Sequence, residues 1–210
     1  HKRLEGIDVS HWEGRIDFSE VRRDGIRIVY IKASEGERGV DPDFERNYRE
    51  AQTAGLKVGF YHYLTARTAE EGREQARHFA GVIREKQYEA CPVMDFESFG
   101  SLEREQINTV ALAFLRELET LTEKKVAVYS DAGNAANIFD ERLAFYPLWI
   151  AEYGVERPEM NNDWREWAGW QYTDAGRVRG IDGTVDRDYF TESILADRST
   201  VLCPRSCEEE

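Results

Sequence analysis

The sequence predicts an α/β fold, a single eight-stranded barrel whose outer layer of helices is incomplete. β-rich runs alternate with longer helical patterns, as in a parallel sheet with crossover helices, and no repeat or linker interrupts them. The length of 210 residues fits one domain with a substantial core. An open doubly wound sheet is the alternative that this pattern leaves.

Eight segments have the composition of β-strands. The first is residues 6–10, and the second, residues 26–33, is an almost continuous apolar run typical of a strand buried on both faces. The other six are residues 57–63, 91–97, 125–130, 148–153, 167–172 and 184–189. Eight parallel strands favour closure into a barrel.

Helical patterns separate most of these strands. Apolar residues from Phe44 to Ala54 recur at helical spacing, and Gly55 is placed to end that helix. Further helices are predicted at residues 69–85, 102–123 and, for a short one, 133–139. The segments before Trp167 and Thr184 are too short and polar for full crossovers, so the helical cover is predicted to thin out in the second half.

The formal net charge is −13, from 28 Lys and Arg against 41 Asp and Glu. Because 41% of the residues are hydrophobic and 12% aromatic, we predict a folded acidic globule rather than a disordered tail. Nucleic acid and anionic membranes require a basic surface on the protein, so neither is a predicted partner. No apolar run approaches the roughly 20 residues that span a bilayer.

The three cysteines leave two interpretations open. Cys203 and Cys207 lie four apart near the C-terminus, where a small disulfide loop would form in an oxidising compartment. The alternative is an incidental pair there and a buried thiol at Cys91. No metal site is predicted, since zinc generally takes four ligands and the four histidines are scattered.

Acidic residues stand at or near the carboxyl ends of three predicted strands: Asp8, then Asp95 and Glu97, then Asp186. These ends converge on the barrel face that carries active sites. Asp95 and Glu97, two apart on a strand, point the same way, and like charges that close raise the pKa of at least one. Such a pair fits glycosidic bond cleavage, which needs an acid and an anion.

The acidic residues also allow two other interpretations. In a chain that is 33% charged, an Asp-x-Glu triplet taken alone is more often surface than catalytic. Here the triplet follows an apolar run and alternates with Phe96, which favours a strand. The four carboxylates also offer oxygen ligands to a hard cation, but no loop resembles a calcium-binding pattern, so this interpretation ranks below catalysis.

Aromatic residues are grouped near the same strand ends, where their faces can stack on sugar rings. Singly, each is more often a core residue than a ligand contact, and only the grouping carries weight. His62 is interpreted as a hydrogen-bonded structural histidine without a chemical role. The aromatic residues near the strand ends are Trp12, Tyr61, Tyr63, Trp149, Tyr153, Trp170 and Tyr172.

Seven segments in order resemble glycoside hydrolase family 25, the lysozymes found in Chalaropsis fungi, in bacteria and as phage endolysins. They are GIDVSHW from Gly6, YIKASEG from Tyr30, GFYHY from Gly59, VMDFE from Val93, LWIAEY from Leu148, WQY from Trp170 and the pair Val185-Asp186. The resemblance runs from about Leu4 to Phe190. Residues 1–197 are accordingly assigned to a catalytic domain, and residues 198–210 to a C-terminal tail.

The resemblance implies a TIM-like (β/α)5(β)3 barrel with five helices and three final antiparallel or irregular strands. It implies hydrolysis of the β-1,4 bond between N-acetylmuramic acid and N-acetylglucosamine in peptidoglycan. Glu97 would be the general acid and then the base, and Asp95 the nucleophile or the carboxylate that orients the N-acetyl group. Asp8 and Asp186 complete the acidic site. The implied substrate-binding residues are Trp12, Tyr61, Tyr63, Trp149, Tyr153 and Gln171.

The resemblance implies no metal or cofactor. We expect a monomer that acts on peptidoglycan glycan strands. It is expected to be secreted or to lie at the cell surface, with its signal or anchor segment missing from this chain. The alternatives are a wall-binding module of the same fold without turnover and a glycosidase acting on another amino sugar polymer such as chitin. Bacterial walls are anionic, so we expect repulsion at low salt and activity on whole cells that rises with moderate salt; a fall would indicate a basic patch.

Overall fold

The structure is a computed structural model and describes residues 2–197. Nine β-strands and five α-helices are found there, together with three short 3-10 helices. The strands are β1 (Leu4–Val9), β2 (Ile28–Glu35), β3 (Gly39–Val40), β4 (Lys57–Tyr63), β5 (Val93–Asp95), β6 (Ala127–Asp131), β7 (Leu148–Ala151), β8 (Gly169–Gly176) and β9 (Val185–Phe190). The α-helices are α1 (Phe18–Arg23), α2 (Phe44–Thr53), α3 (Ala69–Ile83), α4 (Arg104–Thr122) and α5 (Ala132–Asn137).

Eight of the strands close into a barrel, which confirms the predicted architecture over the open sheet. The ring runs β1, β2, β4, β5, β6, β7, β8, β9 and back to β1, and β3 forms a hairpin with the end of β2. The three final strands β7, β8 and β9 differ in direction. β7 and β8 run parallel to their predecessors, and only β9 is antiparallel to both neighbours, so the implied antiparallel arrangement is restricted to one strand.

All eight predicted strands and the four predicted helices are present, with shifted ends. β5 is the most shortened, because it ends at Asp95 and leaves Glu97 in the following loop. Helix α1 was not predicted, since six residues are too few to show a periodic pattern. It had one local signal, because Asp17 accepts hydrogen bonds from the amides of Ser19 and Glu20 and so caps the helix.

Helices α3 and α4 pack closely on the outside of the barrel. A Cβ atom on Gly72 of α3 would lie 3.0 Å from the backbone oxygen of Val110 on α4, so the missing side chain permits the close approach. Phe79 of α3 and Phe114 of α4 stack in the layer between helices and sheet, and the His62 ring stacks against both. This layer anchors β4 from outside.

His62 is a structural residue, as predicted. Its Nδ1 lies 2.7 Å from the Ser34 hydroxyl and its Nε2 lies 3.0 Å from Oε1 of Gln75. Burial lowers the pKa of His62 to about 4, so the ring is neutral at physiological pH. It faces the helices rather than the barrel interior.

Large aromatic side chains fill the lower part of the barrel interior. Tyr30 stacks on Trp149 with ring centroids 4.7 Å apart, and Phe190 packs on both rings. Strand glycines make room for them: a Cβ on Gly59 would lie 2.4 Å from the Tyr30 ring, and one on Gly169 would lie 2.7 Å from Phe190. The interior is therefore a packed floor below the carboxyl ends of the strands.

Cys91 is a buried free thiol, and burial raises its pKa to about 12. The predicted pair Cys203 and Cys207 lies outside the described residues. Between residues 2 and 197, no helix combines the length and the apolar character needed to cross a membrane.

Candidate active site

Three aspartates meet at the upper rim of the barrel. Asp8 lies near the end of β1 and pairs in register with Asp186 on β9, and Asp95 ends β5. The prediction that Asp186 stands at the carboxyl end of its strand is wrong, because it is the second residue of β9. Since β9 is antiparallel, its start reaches the same rim as the ends of the other strands.

Gln171 on β8 joins the aspartates to two tyrosines. Its side-chain amide donates to Oδ2 of Asp8 at 2.9 Å and to Oδ2 of Asp186 at 3.4 Å. Its carbonyl oxygen accepts from the hydroxyls of Tyr129 at 2.8 Å and Tyr153 at 2.5 Å. The four bonds fix the amide orientation and hold both carboxyl groups in place, a network that the sequence alone did not reveal.

A fourth aspartate, Asp188, lies directly below Asp8 and Asp186 and was also missed. It is fully buried, and its Oδ1 accepts from the indole N–H of Trp149 at 2.9 Å. Its Oδ2 reaches no N–H or hydroxyl donor among residues 2–197, and a hydrogen bond links Asp188 to Asp8. A carboxylate in that position needs a protonated neighbour, so the proton of Asp8 serves as its donor.

At neutral pH Asp8 and Asp186 retain their protons, whereas Asp188 is only partly protonated. Burial, followed by the charge of Asp188, raises the pKa of Asp8 well above its usual range. Burial and then the charge of Asp8 raise the pKa of Asp186 to about 9, and burial raises that of Asp188 to about 7. Three negative charges are therefore not held side by side.

Asp95 and Glu97 are in contact, although only Asp95 belongs to a strand. Asp95 is buried and shares a hydrogen bond with Glu97, whose side chain is exposed. Burial raises the pKa of Asp95 well above its usual range, and the hydrogen bond and charge of Glu97 raise it further. The predicted raised pKa thus belongs to Asp95, and its Oδ1 meets no N–H or hydroxyl donor among residues 2–197.

Two further ionisable residues, Lys32 near Asp95 and Glu13 near Asp186, were not predicted. The Nζ atom of Lys32 on β2 lies 2.7 Å from Oε1 of Glu35 and 5.6 Å from the Tyr63 ring centroid. The positive charge of Lys32 lowers the pKa of Asp95. Glu13 accepts from the Ser10 amide at 3.0 Å, and burial raises its pKa to about 7. The position of Lys32, a charged residue directly after the apolar run of β2, was the sequence feature that could have predicted its place in the site.

Four predicted substrate-binding aromatics lie around the carboxyls. Tyr61 is close enough that the charges of Asp8 and Asp95 add to burial in raising its pKa. Tyr63 pairs in register with Asp95 and is partly exposed. Tyr153 is exposed beside Gln171, and Trp12 is 81% exposed in the turn after β1.

The prediction that Trp149 contacts substrate is wrong. Its side chain is 2% exposed, stacked on Tyr30 inside the barrel with its N–H bound to Asp188. A ring in that position supports the rim from below and offers no face to a sugar. Trp170 and Tyr172 point to the outer side of the barrel, where the Trp170 N–H donates to the Glu152 backbone oxygen at 2.9 Å.

The hard-cation interpretation receives no support from the geometry. Across residues 2–197, no group of three or more His, Cys, Asp or Glu side chains is arranged to hold a metal ion. The acidic rim instead combines protonated and ionised carboxyls joined by hydrogen bonds, which is a proton-transfer arrangement.

Comparison with known proteins identifies the family of this chain. Residues 7–181 match the family described as glycosyl hydrolases family 25. The autolytic lysozyme of Clostridium acetobutylicum is 34% identical over 96% of this chain and 60% of its own length. The uncharacterized protein YegX of Escherichia coli O157:H7 is 39% identical over 89% of this chain and 69% of its own length.

Among solved structures, the bacterial lysozyme from Streptomyces coelicolor superposes with a TM-score of 0.79 at 32% identity, covering 90% of this chain and 92% of that one. The family match spans most of the described residues, including Asp8, Asp95 and Glu97. On these grounds the chain belongs to glycosyl hydrolase family 25.

Proposed function

We propose that this protein is a lysozyme that cleaves the β-1,4 bond between N-acetylmuramic acid and N-acetylglucosamine in peptidoglycan. The observation that carries the proposal is the contact between buried Asp95 and exposed Glu97 on a rim lined by aromatic side chains. Relatives above 30% identity named as lysozymes support the choice of substrate.

The Asp95–Glu97 hydrogen bond supplies a route for the catalytic proton. In the resting site the shared proton lies on Asp95, because burial disfavours its anion. When a glycosidic oxygen binds beside Glu97, transfer along the hydrogen bond gives Glu97 the proton and leaves Asp95 negative. A single transfer therefore prepares both the acid and the anion that glycoside cleavage requires.

Bond cleavage follows from this arrangement. Glu97 protonates the leaving oxygen, while the Asp95 anion attacks the anomeric carbon or orients the substrate's N-acetyl group. The Glu97 carboxylate then takes a proton from the incoming water, whose oxygen bonds to the anomeric carbon and displaces Asp95 or the N-acetyl oxygen. Return of the proton along the hydrogen bond to Asp95 regenerates the resting site. Lys32 lies on β2, which β4 separates from β5, and its positive charge favours the Asp95 anion.

The remaining rim residues bind and orient the sugar. Asp8 and Asp186, held by Gln171, offer both hydrogen-bond donors and acceptors because they retain protons. Tyr61, Tyr63 and Tyr153 present rings and hydroxyls around them, which suits sugars with apolar faces and polar edges. Trp12 extends this lining at the exposed edge.

Mass spectrometry of fragments released from defined peptidoglycan tests the function. A muramic acid at the new reducing end is the expected product, whereas an N-acetylglucosamine end would indicate a glucosaminidase. Cleavage of chitin at a comparable rate would favour a broader amino sugar glycosidase. Binding to peptidoglycan without any product would favour the non-catalytic wall-binding module.

Activity on this substrate requires access to the cell wall, so we propose that the protein acts after secretion or at the cell surface. The rim is built from residues of one chain, and we propose that it acts as a monomer. A sedimentation measurement at working concentration checks the second statement, and immunolocalisation in the source cells checks the first.

A further inference from the structure

The outer side of β8 and β9 carries an aromatic cluster instead of an α-helix. The cluster consists of Trp167, Trp170, Tyr172 and Tyr189, with Tyr172 and Tyr189 stacked 4.5 Å apart and Trp170 packed on both tyrosines. Trp167 lies 6.1 Å from Trp170 and is partly exposed. This is the part of the barrel where the helical cover is missing.

Basic side chains gather beside the aromatic cluster. The guanidinium of Arg3 lies 5.2 Å from the Trp167 ring and 5.5 Å from the Tyr189 ring, so two aromatic contacts hold one arginine. Lys2, Arg3, Arg157, Arg165 and Trp167 line a single cavity of about 590 Å³, which we call the basic cavity. That volume is within the range of ligand sites.

The four cations of the basic cavity have no ion-pair or hydrogen-bond partner among residues 2–197. Neither an ion pair nor a hydrogen bond engages the Lys2, Arg3, Arg157 or Arg165 side chains there, and all four are exposed.

The carboxylates of Glu166 and Glu192 also line the cavity, so positive charge exceeds negative there. In another basic group, Arg22 and Arg27 donate to backbone oxygens and Arg23 pairs with Glu20. The side chains of that group are engaged within the protein, whereas the donors of the basic cavity remain available to a ligand.

The cavity lies at the end of the barrel opposite the acidic rim. It is formed by residues that precede β1, precede β8 and follow β9, whereas Asp8 and Asp186 mark the other end of β1 and β9. A six-residue strand is about 20 Å long, so a ligand in the cavity cannot be the sugar being cleaved. It belongs to a different stretch of polymer.

The chemistry of the cavity defines that ligand. Guanidinium groups pair with carboxylates, and a partly exposed indole stacks on a sugar ring. Peptidoglycan carries both carboxylates and sugar rings, because its glycan strands bear stem peptides with carboxylates. A poly(glycerol phosphate) backbone would satisfy the cations but has no ring to stack on the indole.

We propose that the basic cavity binds carboxylate groups and sugar of a second peptidoglycan strand and so holds the protein on its insoluble substrate. The inference rests on the proposed function. It also reverses the expected effect of salt, because a chain with a net charge of −13 would otherwise be repelled by the wall. Wall binding through a local basic site weakens with salt instead.

Binding to purified insoluble peptidoglycan tests the inference. The test protein is the Glu97→Gln variant, so that the polymer is not consumed, and the added change is Arg3→Glu with Arg165→Glu. The matched control adds Lys57→Glu and Arg84→Glu, which change two exposed basic residues elsewhere by the same charge. We expect at least about a fivefold loss of affinity for the cavity variant and less than about twofold for the control.

Chemical amidation of the peptidoglycan carboxyls should remove the difference between the two variants. Equal affinities of the two variants for untreated peptidoglycan would overturn the proposal, as would binding of the unmodified protein that strengthens between about 50 and 300 mM salt. Cavity-dependent binding to teichoic acid but not to peptidoglycan would also overturn it. Binding is measured without turnover, so the result of this experiment does not depend on whether the proposed catalysis is correct.

Discussion

Asp8 and Asp186 face each other across the antiparallel pair of β1 and β9, and the Gln171 amide donates to both. Close carboxyls cannot all ionise, and burial adds to the cost of each charge. The rim therefore stores protons at neutral pH, and the Asp95–Glu97 pair beside it stores another. The stability and the activity of the protein both depend on these protons.

Stability is expected to increase as pH falls from 9 to about 6.5. The pKa of Asp186 is raised to about 9, so the folded state binds a proton that the unfolded state, with a carboxyl pKa near 4, has released. Deprotonation at higher pH removes this advantage. Below about pH 6.5, His62 lowers stability as the pH falls. Its pKa in the folded state is lowered to about 4, so the unfolded state binds the proton at a higher pH than the folded state does.

Thermal unfolding across this range provides the measurement. We expect Tm to be higher at pH 6.5 than at pH 9 by at least about 3 °C, the shift that roughly 1 kcal/mol produces in a domain of this size. Asp186→Asn should reduce the dependence of Tm on pH, since it removes one of the groups that titrate. A Tm that rises toward pH 9 would contradict the assignment of retained protons.

Gln171→Leu is expected to lower kcat by about tenfold or more and to shift the pH profile of kcat. Leucine cannot donate to Asp8 or Asp186, and it leaves the hydroxyls of Tyr129 and Tyr153 without their acceptor. Gln171 would thus act as a positioning residue. Gln52→Leu, on the surface, is the matched control. An unchanged pH profile with only a lower Tm would indicate that Gln171 is merely structural.

Trp12 and Trp149 should respond differently to substitution. Trp12→Ala is expected to raise KM with little change in Tm, because the ring is 81% exposed at the rim. Trp149→Phe leaves Asp188 without its indole donor, and an unsatisfied buried acceptor costs about 1–3 kcal/mol, so Tm should fall. Steady-state kinetics and calorimetry on both variants check this. A raised KM with unchanged Tm for Trp149→Phe, and a lowered Tm with unchanged KM for Trp12→Ala, would indicate that Trp149 contacts the substrate.

Gly59→Ala is expected to destabilise the barrel by about 1–3 kcal/mol, because the new methyl group would lie 2.4 Å from the Tyr30 ring. Gly81→Ala on α3 is the control, since nothing lies within 4 Å of its added methyl group. There a gain of about 0.5–1 kcal/mol is expected from helix propensity. Urea titrations measure both values, and equal effects would contradict the packing described for the barrel floor.

The fold followed from sequence because strand composition and helical spacing are local properties. Residues 26–33 and 57–63 could be recognised as strands without knowing their neighbours. The direction of β9 could not be predicted, because it depends on how the chain returns to β1. Asp186 does lie at the predicted rim, but it is near the start of an antiparallel strand and not at the end of a parallel one.

Parts of the site depend on contacts across the barrel and escaped prediction for that reason. Asp188, Lys32 and Glu13 each acquire a role only when the fold brings carboxyls from other elements near them. Trp149 was misassigned because a strand end in sequence does not reveal whether its ring lies at the mouth or the floor. Glu97 was placed on the strand, whereas β5 ends at Asp95.

The central claim is that Glu97 delivers the proton to the glycosidic oxygen, and the release of reducing ends from purified peptidoglycan by Glu97→Gln tests it most directly. Glutamine is nearly isosteric but cannot supply that proton, so we predict a loss of about 10²–10⁴-fold in rate with Tm unchanged. Glu85→Gln, an exposed residue on another face, should retain full activity. A Glu97→Gln rate within a few fold of the unmodified protein would contradict the claim.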